Sequence, residues 1–177
     1  MVAVVEDYKY VELHDALKKL ENKEEALLLI LDGLEDPHNL GAILRSVDAS
    51  GADGVIIPKN RSVKLNETVA KVSTGAIEHV DCIMVTNLNQ TIQELKDHGF
   101  WVIGLELTGT MDYKDANYAG KTAIIVGSEG KGISPLVQKN CDLLVKIPMF
   151  GKVNSLNASV SAGIILYEAI RHRGTNG

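Results

Sequence analysis

Short apolar runs alternate with amphipathic stretches from residue 26 to residue 173. Residues 26–32 and 122–127 are continuous apolar runs, the pattern of a strand buried on both faces. Residues 39–50 instead place apolar side chains at i, i+3, i+4 and i+7, as one face of a helix does. The same patterns predict strands at 54–58, 79–85, 100–107 and 143–148, and helices at 65–73, 87–98 and 154–173. Strands separated by helices predict an α/β fold, with a mostly parallel sheet and helices on both faces.

The first 25 residues differ in character from the rest of the chain. Residues 2–13 predict one strand or an extended arm, and residues 14–26 predict a polar amphipathic helix with a charged end. We place the boundary of the main domain near Glu24, which gives an N-terminal arm or linker (1–24) and one main domain (25–177). A chain of 177 residues suits one compact domain.

The composition indicates a cytoplasmic protein. The first residues are too short and too acidic for a signal peptide, and no apolar run approaches the roughly 20 residues that span a bilayer. Cys82 and Cys141 lack the spacing of metal ligands, so we predict two reduced cysteines in the core. The five histidines are scattered, and we expect neither a bound metal nor a membrane partner.

The net charge of −5 by itself argues against nucleic acid as a partner, because phosphate contacts require local positive charge. The basic residues are nevertheless clustered, at Lys59, Arg61, Lys64 and Lys71 and again at Lys131, Lys139, Lys146, Lys152, Arg171 and Arg173. Charge alone does not decide whether these basic residues form a solvated surface or a phosphate-binding surface.

Three segments are rich in Gly, Asn, Ser and Pro, and each follows a predicted strand: 31–46, 124–134 and 147–164. Ligands of open α/β sheets bind beyond the carboxyl ends of strands, so these segments are candidate ligand loops. Each also has a plain structural explanation. Asn39 and Ser155 would cap helices, Arg45 would lie on a surface, and the glycines would form a flexible turn.

The glycine-rich turn GSEGKG at 127–132 was compared with two phosphate-binding motifs. A Walker A loop requires G-x-x-x-x-G-K-[ST], but here Gly132 follows Lys131. A dinucleotide fingerprint requires G-x-G-x-x-G, but here the order is G-x-x-G-x-G. Neither motif fits this turn.

Taken together, DPHNLGAILRS, VGSEGKGIS and IPMFGKVNSLNASVSAGI resemble the three signature motifs of SpoU-type (TrmH-like) RNA 2'-O-ribose methyltransferases of the SPOUT superfamily. The resemblance covers residues 24–173 and is nearest to enzymes that methylate a guanosine of large-subunit rRNA, with tRNA 2'-O-methylation as the alternative. It implies a C-terminal deep trefoil knot, S-adenosylmethionine as cofactor, RNA as substrate and a homodimer packed partly through the final helix.

The resemblance also implies two sets of site residues. The cofactor set is Leu105, Gly127, Ile147, Met149, Leu156 and Ala158. The catalytic set is Arg45, Asn39, Glu129, Ser155 and Asn157. The family's arginine is proposed to contact phosphate and to act as a base. Phosphate anchoring is physically easier, because arginine stays protonated in proteins.

Two other functions remain as alternatives: an α/β protein that binds a nucleotide phosphate at the glycine turn, and a non-catalytic RNA-binding relative. The motif spacing argues against the first, and the presence of both Arg45 and Asn157 argues against the second. Many relatives carry a separate N-terminal RNA-binding domain, whereas only residues 1–25 precede the main domain here. We therefore expect this chain alone to bind RNA weakly and with strong salt dependence.

Overall fold

The computed structural model describes residues 8–173, which form one parallel sheet with helices on both faces. The strands are β1 (Ala26–Asp32), β2 (Gly54–Pro58), β3 (Cys82–Val85), β4 (Trp101–Leu105), β5 (Met111–Asp112), β6 (Lys121–Gly127) and β7 (Leu143–Lys146). The helices are α1 (Leu13–Leu20), α2 (Pro37–Ser50), α3 (Glu67–Ser73), α4 (Leu88–Asp97), α5 (Pro135–Asn140) and α6 (Ala158–Arg171). The predicted fold class is confirmed.

The strand order is β3-β2-β1-β6-β4-β7-β5, and β6 lies between β1 and β4 at the centre of the sheet. Alternate residues of β1 enter two separate cores. Leu27, Leu29 and Leu31 pack with α2, α3 and α6, whereas Leu28 and Ile30 pack with α1, α4 and α5. The continuous apolar run of β1 follows from this burial on both faces. Among the described residues, no helix is both long enough and apolar enough to cross a membrane.

The structure corrects several predicted boundaries. The predicted strand 79–85 begins only at Cys82, because Ala76–Glu78 forms a 3₁₀ turn before it. The predicted helix 14–26 ends at Leu20, and the final helix begins at Ala158 rather than at residue 154. The sequence did not predict α5 or β5, since elements of six and two residues are too short to display a period.

Helix α1 packs in the core that it shares with α4 and α5. Ala16, Leu17 and Leu20 are buried, and Lys19 Nζ lies 2.8 Å from Asp81 Oδ2. The arm before α1 joins the sheet only through one bridge among the described residues, where the Val11 N–H donates to the Cys82 carbonyl at 2.8 Å. Residues 1–7 of the predicted arm lie outside the described residues. The domain boundary near Glu24 stays a prediction.

Both cysteines are free, Cys82 in the core and Cys141 half-buried. Burial raises the pKa of each thiol to about 12, because the interior disfavours a thiolate. Both side chains are therefore protonated near neutral pH, as expected of cysteines that pack as small apolar residues.

The carboxyl ends of β1, β6, β4 and β7 meet at one edge of the sheet. All three candidate ligand segments leave the sheet at this edge, as predicted. After β7 the chain returns over the edge to α6, which packs on α2 and β6. This returning segment is the one that the resemblance implies to be threaded as a trefoil knot.

Candidate active site

The glycine-rich turn folds back onto the end of β6. The Gly132 N–H donates to the Ser128 carbonyl at 2.9 Å, and the Ser128 N–H donates to the Asp32 carbonyl at 3.1 Å. A Cβ atom on Gly127 would lie 2.2 Å from the Gly132 carbonyl carbon. Gly132 itself adopts a φ of +65°, in the left-handed region that favours glycine. The glycine spacing thus serves close backbone packing within the turn, which explains why it matches neither phosphate-binding motif.

An open cleft lies between this turn and the loops that follow β4 and β7. Its empty space, including the part open to solvent, is about 700 Å³. All six residues of the predicted cofactor set line it: Leu105, Gly127, Ile147, Met149, Leu156 and Ala158. The structure thus brings together residues that lie up to 53 positions apart (158 − 105).

The cleft has apolar walls and a polar rim. Leu105, Ile147 and Leu156 supply apolar surface, and Ser128 and Ser161 supply hydroxyl groups. Such a lining suits a neutral aromatic ring that carries a few polar substituents. No group of three or more His, Cys, Asp or Glu side chains that could hold a metal ion is found within residues 8–173.

A single carboxylate oxygen links the three candidate segments. Glu129 Oε1 accepts hydrogen bonds from Asn39 Nδ2 at 3.3 Å, Asn157 Nδ2 at 2.9 Å and the Ala158 N–H at 3.3 Å. Asn39 belongs to the first segment, Glu129 to the second, and Asn157 and Ala158 to the third. This oxygen therefore fixes the positions of α2, the glycine turn and α6 relative to one another.

Asn157 orients its side chain by capping α6. Its Oδ1 accepts from the Ser159 N–H at 2.8 Å and from the Val160 N–H at 3.3 Å, which leaves its Nδ2 to donate to Glu129. The plain structural explanation for Ser155, a helix cap, is therefore wrong. Ser155 instead lines the cleft.

The cap of α2 also differs from the sequence-based explanation. Asp36 Oδ1 accepts from the His38 N–H at 2.8 Å, and Pro37 begins the helix. Asn39 is therefore inside α2, buried, with its amide directed at Glu129. Cap and interior positions cannot be distinguished from the sequence alone, because both Asp36 and Asn39 are good capping residues.

Arg45 lies apart from this cluster. It is exposed on α2 and is six residues after Asn39, which places it about 240° further around the helix. It does not line the cleft, and it makes no side-chain hydrogen bond or ion pair with any residue the structure describes. The structure therefore joins Asn39, Glu129 and Asn157 and places Ser155 at the same cleft, but it does not bring Arg45 to them.

A second, shallower cleft adjoins the first. It runs between the loop after β1, including Gly33 and Glu35, and the glycine turn. Three residues line both clefts: Ser128, Glu129 and Lys131. A ligand in the second cleft would therefore contact the same carboxylate and the same turn as a ligand in the first.

Two acidic residues of the site, Asp32 and Glu106, belong to neither predicted set of site residues. Asp32 Oδ2 accepts from the Ser134 N–H and from its hydroxyl, both at 2.8 Å, and so ties the end of the glycine turn to β1. Glu106 follows β4 directly and lines the first cleft. An acidic residue at the carboxyl end of a buried strand was the available signal in both cases.

Residues 26–167 match the family model described as SpoU rRNA Methylase family. A Staphylococcus aureus (strain COL) protein named for TrmH family tRNA/rRNA methyltransferases is 57% identical over 174 residues. That alignment includes 98% of this chain and 70% of the relative.

Two solved structures share the fold. The TrmH/SpoU tRNA modifying enzyme of A. aeolicus aligns with a TM-score of 0.77 and 31% identity, over 90% of this chain and 83% of that one. The AdoMet-bound rRNA methyltransferase of Sinorhizobium meliloti aligns with a TM-score of 0.84 and 28% identity, over 93% of this chain and 61% of that one. One of these two enzymes is named for tRNA and the other for rRNA.

Proposed function

This chain belongs to the SpoU rRNA Methylase family, and from that premise we propose that it transfers a methyl group from S-adenosylmethionine to a ribose 2'-hydroxyl of RNA. One observation carries the proposal. Glu129 Oε1 joins all three family motifs beside a cleft that suits an adenosyl group. A phosphate-binding function at the glycine turn has no comparable support, because Gly127 packs against the Gly132 backbone and Gly132 against the Glu106 carboxylate.

The residues of the first cleft fit the cofactor. Leu105, Ile147 and Leu156 would enclose the adenine ring, and the backbone at Gly127 would hold its polar edge. When bound, S-adenosylmethionine supplies a methyl group that is already activated by the sulfonium. The protein must therefore align the ribose oxygen with that methyl group. In well-oriented reactions such alignment can lower the activation barrier by about 7 kcal/mol or more.

We propose that the second cleft receives the ribose. There Asn39 and Glu129 would position the 2'-hydroxyl, and Ser155 would contact it from the cofactor side. Asn157 would hold the Glu129 carboxylate in place through its Nδ2. The bound cofactor would give its methyl group to the ribose oxygen and leave as S-adenosylhomocysteine, and the hydroxyl proton would pass to water in the open second cleft. Arg45 stays protonated, so we assign it the anchoring of an RNA phosphate rather than acceptance of that proton.

Arg45 is best placed to serve the cleft of a second subunit. It is exposed and is directed away from Asn39 on its own helix. The exposed apolar residues Val160 and Tyr167 give α6 a surface on which another copy could pack. We therefore propose a homodimer in which each subunit supplies Arg45 to its partner.

A mixed dimer tests this arrangement. Arg45→Ala and Asn157→Ala subunits, each inactive as homodimers, are co-expressed with different tags and purified as heterodimers. If Arg45 acts across the interface, one of the two sites is intact and about half of the wild-type activity returns. An inactive heterodimer would place Arg45 in its own subunit's site. Sedimentation showing an active monomer at micromolar concentration would exclude the dimer altogether.

The proposed substrate is a guanosine of large-subunit rRNA, with tRNA as the competing substrate. The basic residues Lys59, Arg61 and Lys64 follow β2 at the same edge of the sheet as the site, and the Val63 N–H donates to the Leu34 carbonyl at 2.8 Å. This contact holds the basic loop beside the first family motif, where it could bind RNA phosphates.

Methyl transfer to purified RNA decides between the two. Labelled cofactor is supplied with rRNA or tRNA from cells that lack the modification, and the labelled nucleotide is mapped. Label confined to tRNA would contradict the rRNA assignment, and label in neither would contradict the proposed function. Because the chain spans 70% of its Staphylococcus aureus relative, the assay is repeated with the rest of that relative's chain attached. We expect the longer protein to bind RNA more tightly than this chain at the same salt concentration, because it would contact more phosphates.

A further inference from the structure

We propose that Glu106 binds the ribose hydroxyls of the cofactor and gives the cleft a preference for ribonucleoside over deoxyribonucleoside ligands. This inference rests on the proposed function and extends it to a residue outside the predicted cofactor set. It concerns binding, so it is tested without RNA.

Glu106 is held at the wall of the cleft by its own backbone. Its N–H donates to the Val145 carbonyl at 2.9 Å, which continues the pairing of β4 with β7 by one residue. Its side chain lines the cleft and is half-buried. The carboxylate is thus presented by a rigid strand end rather than by a free loop.

The glycine turn packs directly against this carboxylate. A Cβ atom on Gly132 would lie 2.6 Å from Glu106 Oε2 and 2.7 Å from Oε1, so the space for the carboxylate exists only because residue 132 is glycine. The Ile133 N–H lies 3.5 Å from Oε2, at the outer limit of a hydrogen bond. Among the described residues this is the one hydrogen bond that the Glu106 carboxylate accepts.

The remaining acceptor capacity points to a ligand with hydroxyl groups. An ionised carboxylate can accept about four hydrogen bonds, and leaving this capacity unused beside a bound ligand is unfavourable. Leu105, the neighbouring residue, belongs to the apolar wall proposed for the adenine ring. The ribose is bonded directly to that ring, so its two hydroxyls come next to Glu106. Acidic side chains bind ribose hydroxyls in the same way in dinucleotide-binding folds.

The competing partner is the α-ammonium of the cofactor, and ligand choice separates the two. 5'-Methylthioadenosine has the ribose but no amino-acid part, whereas S-adenosylhomocysteine has both. Calorimetry measures both ligands and 2'-deoxy-5'-methylthioadenosine on the wild type, on Glu106→Gln and on Glu94→Gln, a control on α4 at an exposed position. Thermal unfolding confirms that each variant is folded.

We expect the wild type to prefer 5'-methylthioadenosine over its 2'-deoxy form roughly ten-fold, as for a hydrogen bond to a charged group. Glu106→Gln should weaken both ribose ligands roughly ten-fold and remove most of this preference. Glu94→Gln should change nothing.

Three results would overturn the inference. The first is a wild-type protein that binds the ribose and deoxyribose ligands equally well, and this result counts even if the variant fails to fold. Loss of S-adenosylhomocysteine binding with 5'-methylthioadenosine unaffected would assign Glu106 to the ammonium. Equal weakening of all three ligands, with the preference kept, would make Glu106 a support of the glycine turn. If no adenosyl ligand binds the wild type, the proposed function fails as well.

Discussion

Replacing Gly127 with alanine tests the central geometric claim about the cleft. The added Cβ would lie 2.2 Å from the Gly132 carbonyl carbon and 2.3 Å from its oxygen. Ordinary contacts of a Cβ begin at 3.4 Å, so the two backbones would have to separate by more than 1 Å (3.4 − 2.2). Gly127 is held in the parallel pairing of β6 with β1, so we expect the glycine turn, and not the strand, to move away.

The energetic consequence follows from what the turn holds. Overpacking lowers the free energy of unfolding by about 1–3 kcal/mol where side chains can adjust. Both neighbours of the added Cβ are backbone atoms, so we expect a loss of about 3 kcal/mol for Gly127→Ala. For a domain of this size that corresponds to a fall of roughly 6–12 °C in Tm. Opening the turn also displaces Glu129 and the cleft wall, so affinity for S-adenosylhomocysteine should fall about 100-fold or more, which is roughly 2.7 kcal/mol.

Gly151→Ala is the matched control. Gly151 is a loop glycine at the same edge of the sheet, but a Cβ there meets nothing within 4 Å and its φ is not in the left-handed region. Its substitution should change stability by less than about 0.5 kcal/mol. Urea unfolding and calorimetry are measured on both variants. A Gly127→Ala protein as stable as the control, with unchanged ligand affinity, would refute the backbone-packing account of the turn.

Four further predictions follow from the structure. Arg45→Ala should abolish methyl transfer and change S-adenosylhomocysteine affinity, measured by calorimetry, by no more than a few-fold. Arg45→Lys should also transfer methyl groups poorly, because an ammonium lacks the planar fork of the guanidinium. Loss of ligand binding in either variant would show that Arg45 has a structural role. Ligand binding should survive EDTA, and its loss on chelation would reveal a metal. A Cβ at position 163 would meet only Ser46 Oγ, at 3.6 Å, so Gly163→Ala should raise the free energy of unfolding by about 0.5–1 kcal/mol. A Cβ at position 41 would lie 2.6 Å from Val72 Cβ, so Gly41→Ala should lower the free energy of unfolding by about 1–3 kcal/mol in the same assay. Cys82 should resist iodoacetamide at pH 8 in the native protein but react after unfolding, because burial holds its pKa at about 12; rapid native labelling would contradict this.

The periodic elements could be predicted because their burial repeats along the chain. β1 is buried on both faces and α2 on one, and both patterns are readable in single segments. The six-residue α5 offers less than two turns, so no period can be recognised. The start of α6 was misplaced because the polar run before it contains several possible caps, and the choice depends on Glu129 meeting Asn157.

The position of the site was predictable, but its contacts were not. Parallel strands bring their carboxyl ends together, so three polar segments after strands had to meet. One oxygen of Glu129 accepts a hydrogen bond from Asn39, 90 residues earlier in the chain. This contact depends on the path of both loops in space, which no local pattern shows. For Arg45, the helical pattern shows only that it lies off the apolar stripe, and the proposed dimer would place its contacts on a second chain.

The central position of β6 has a consequence for synthesis of the protein. Both β1 and β4 pair with β6, yet β6 is made only after residue 120. A nascent chain that ends before β6 therefore has two long strands whose inner edges lack a partner, and such edges readily join other chains. We expect growing chains to need protection from aggregation until the central strand emerges from the ribosome. The cleft comes later still, since its last wall contains Ser161. Cofactor binding is thus reserved for chains that have been translated past Ser161.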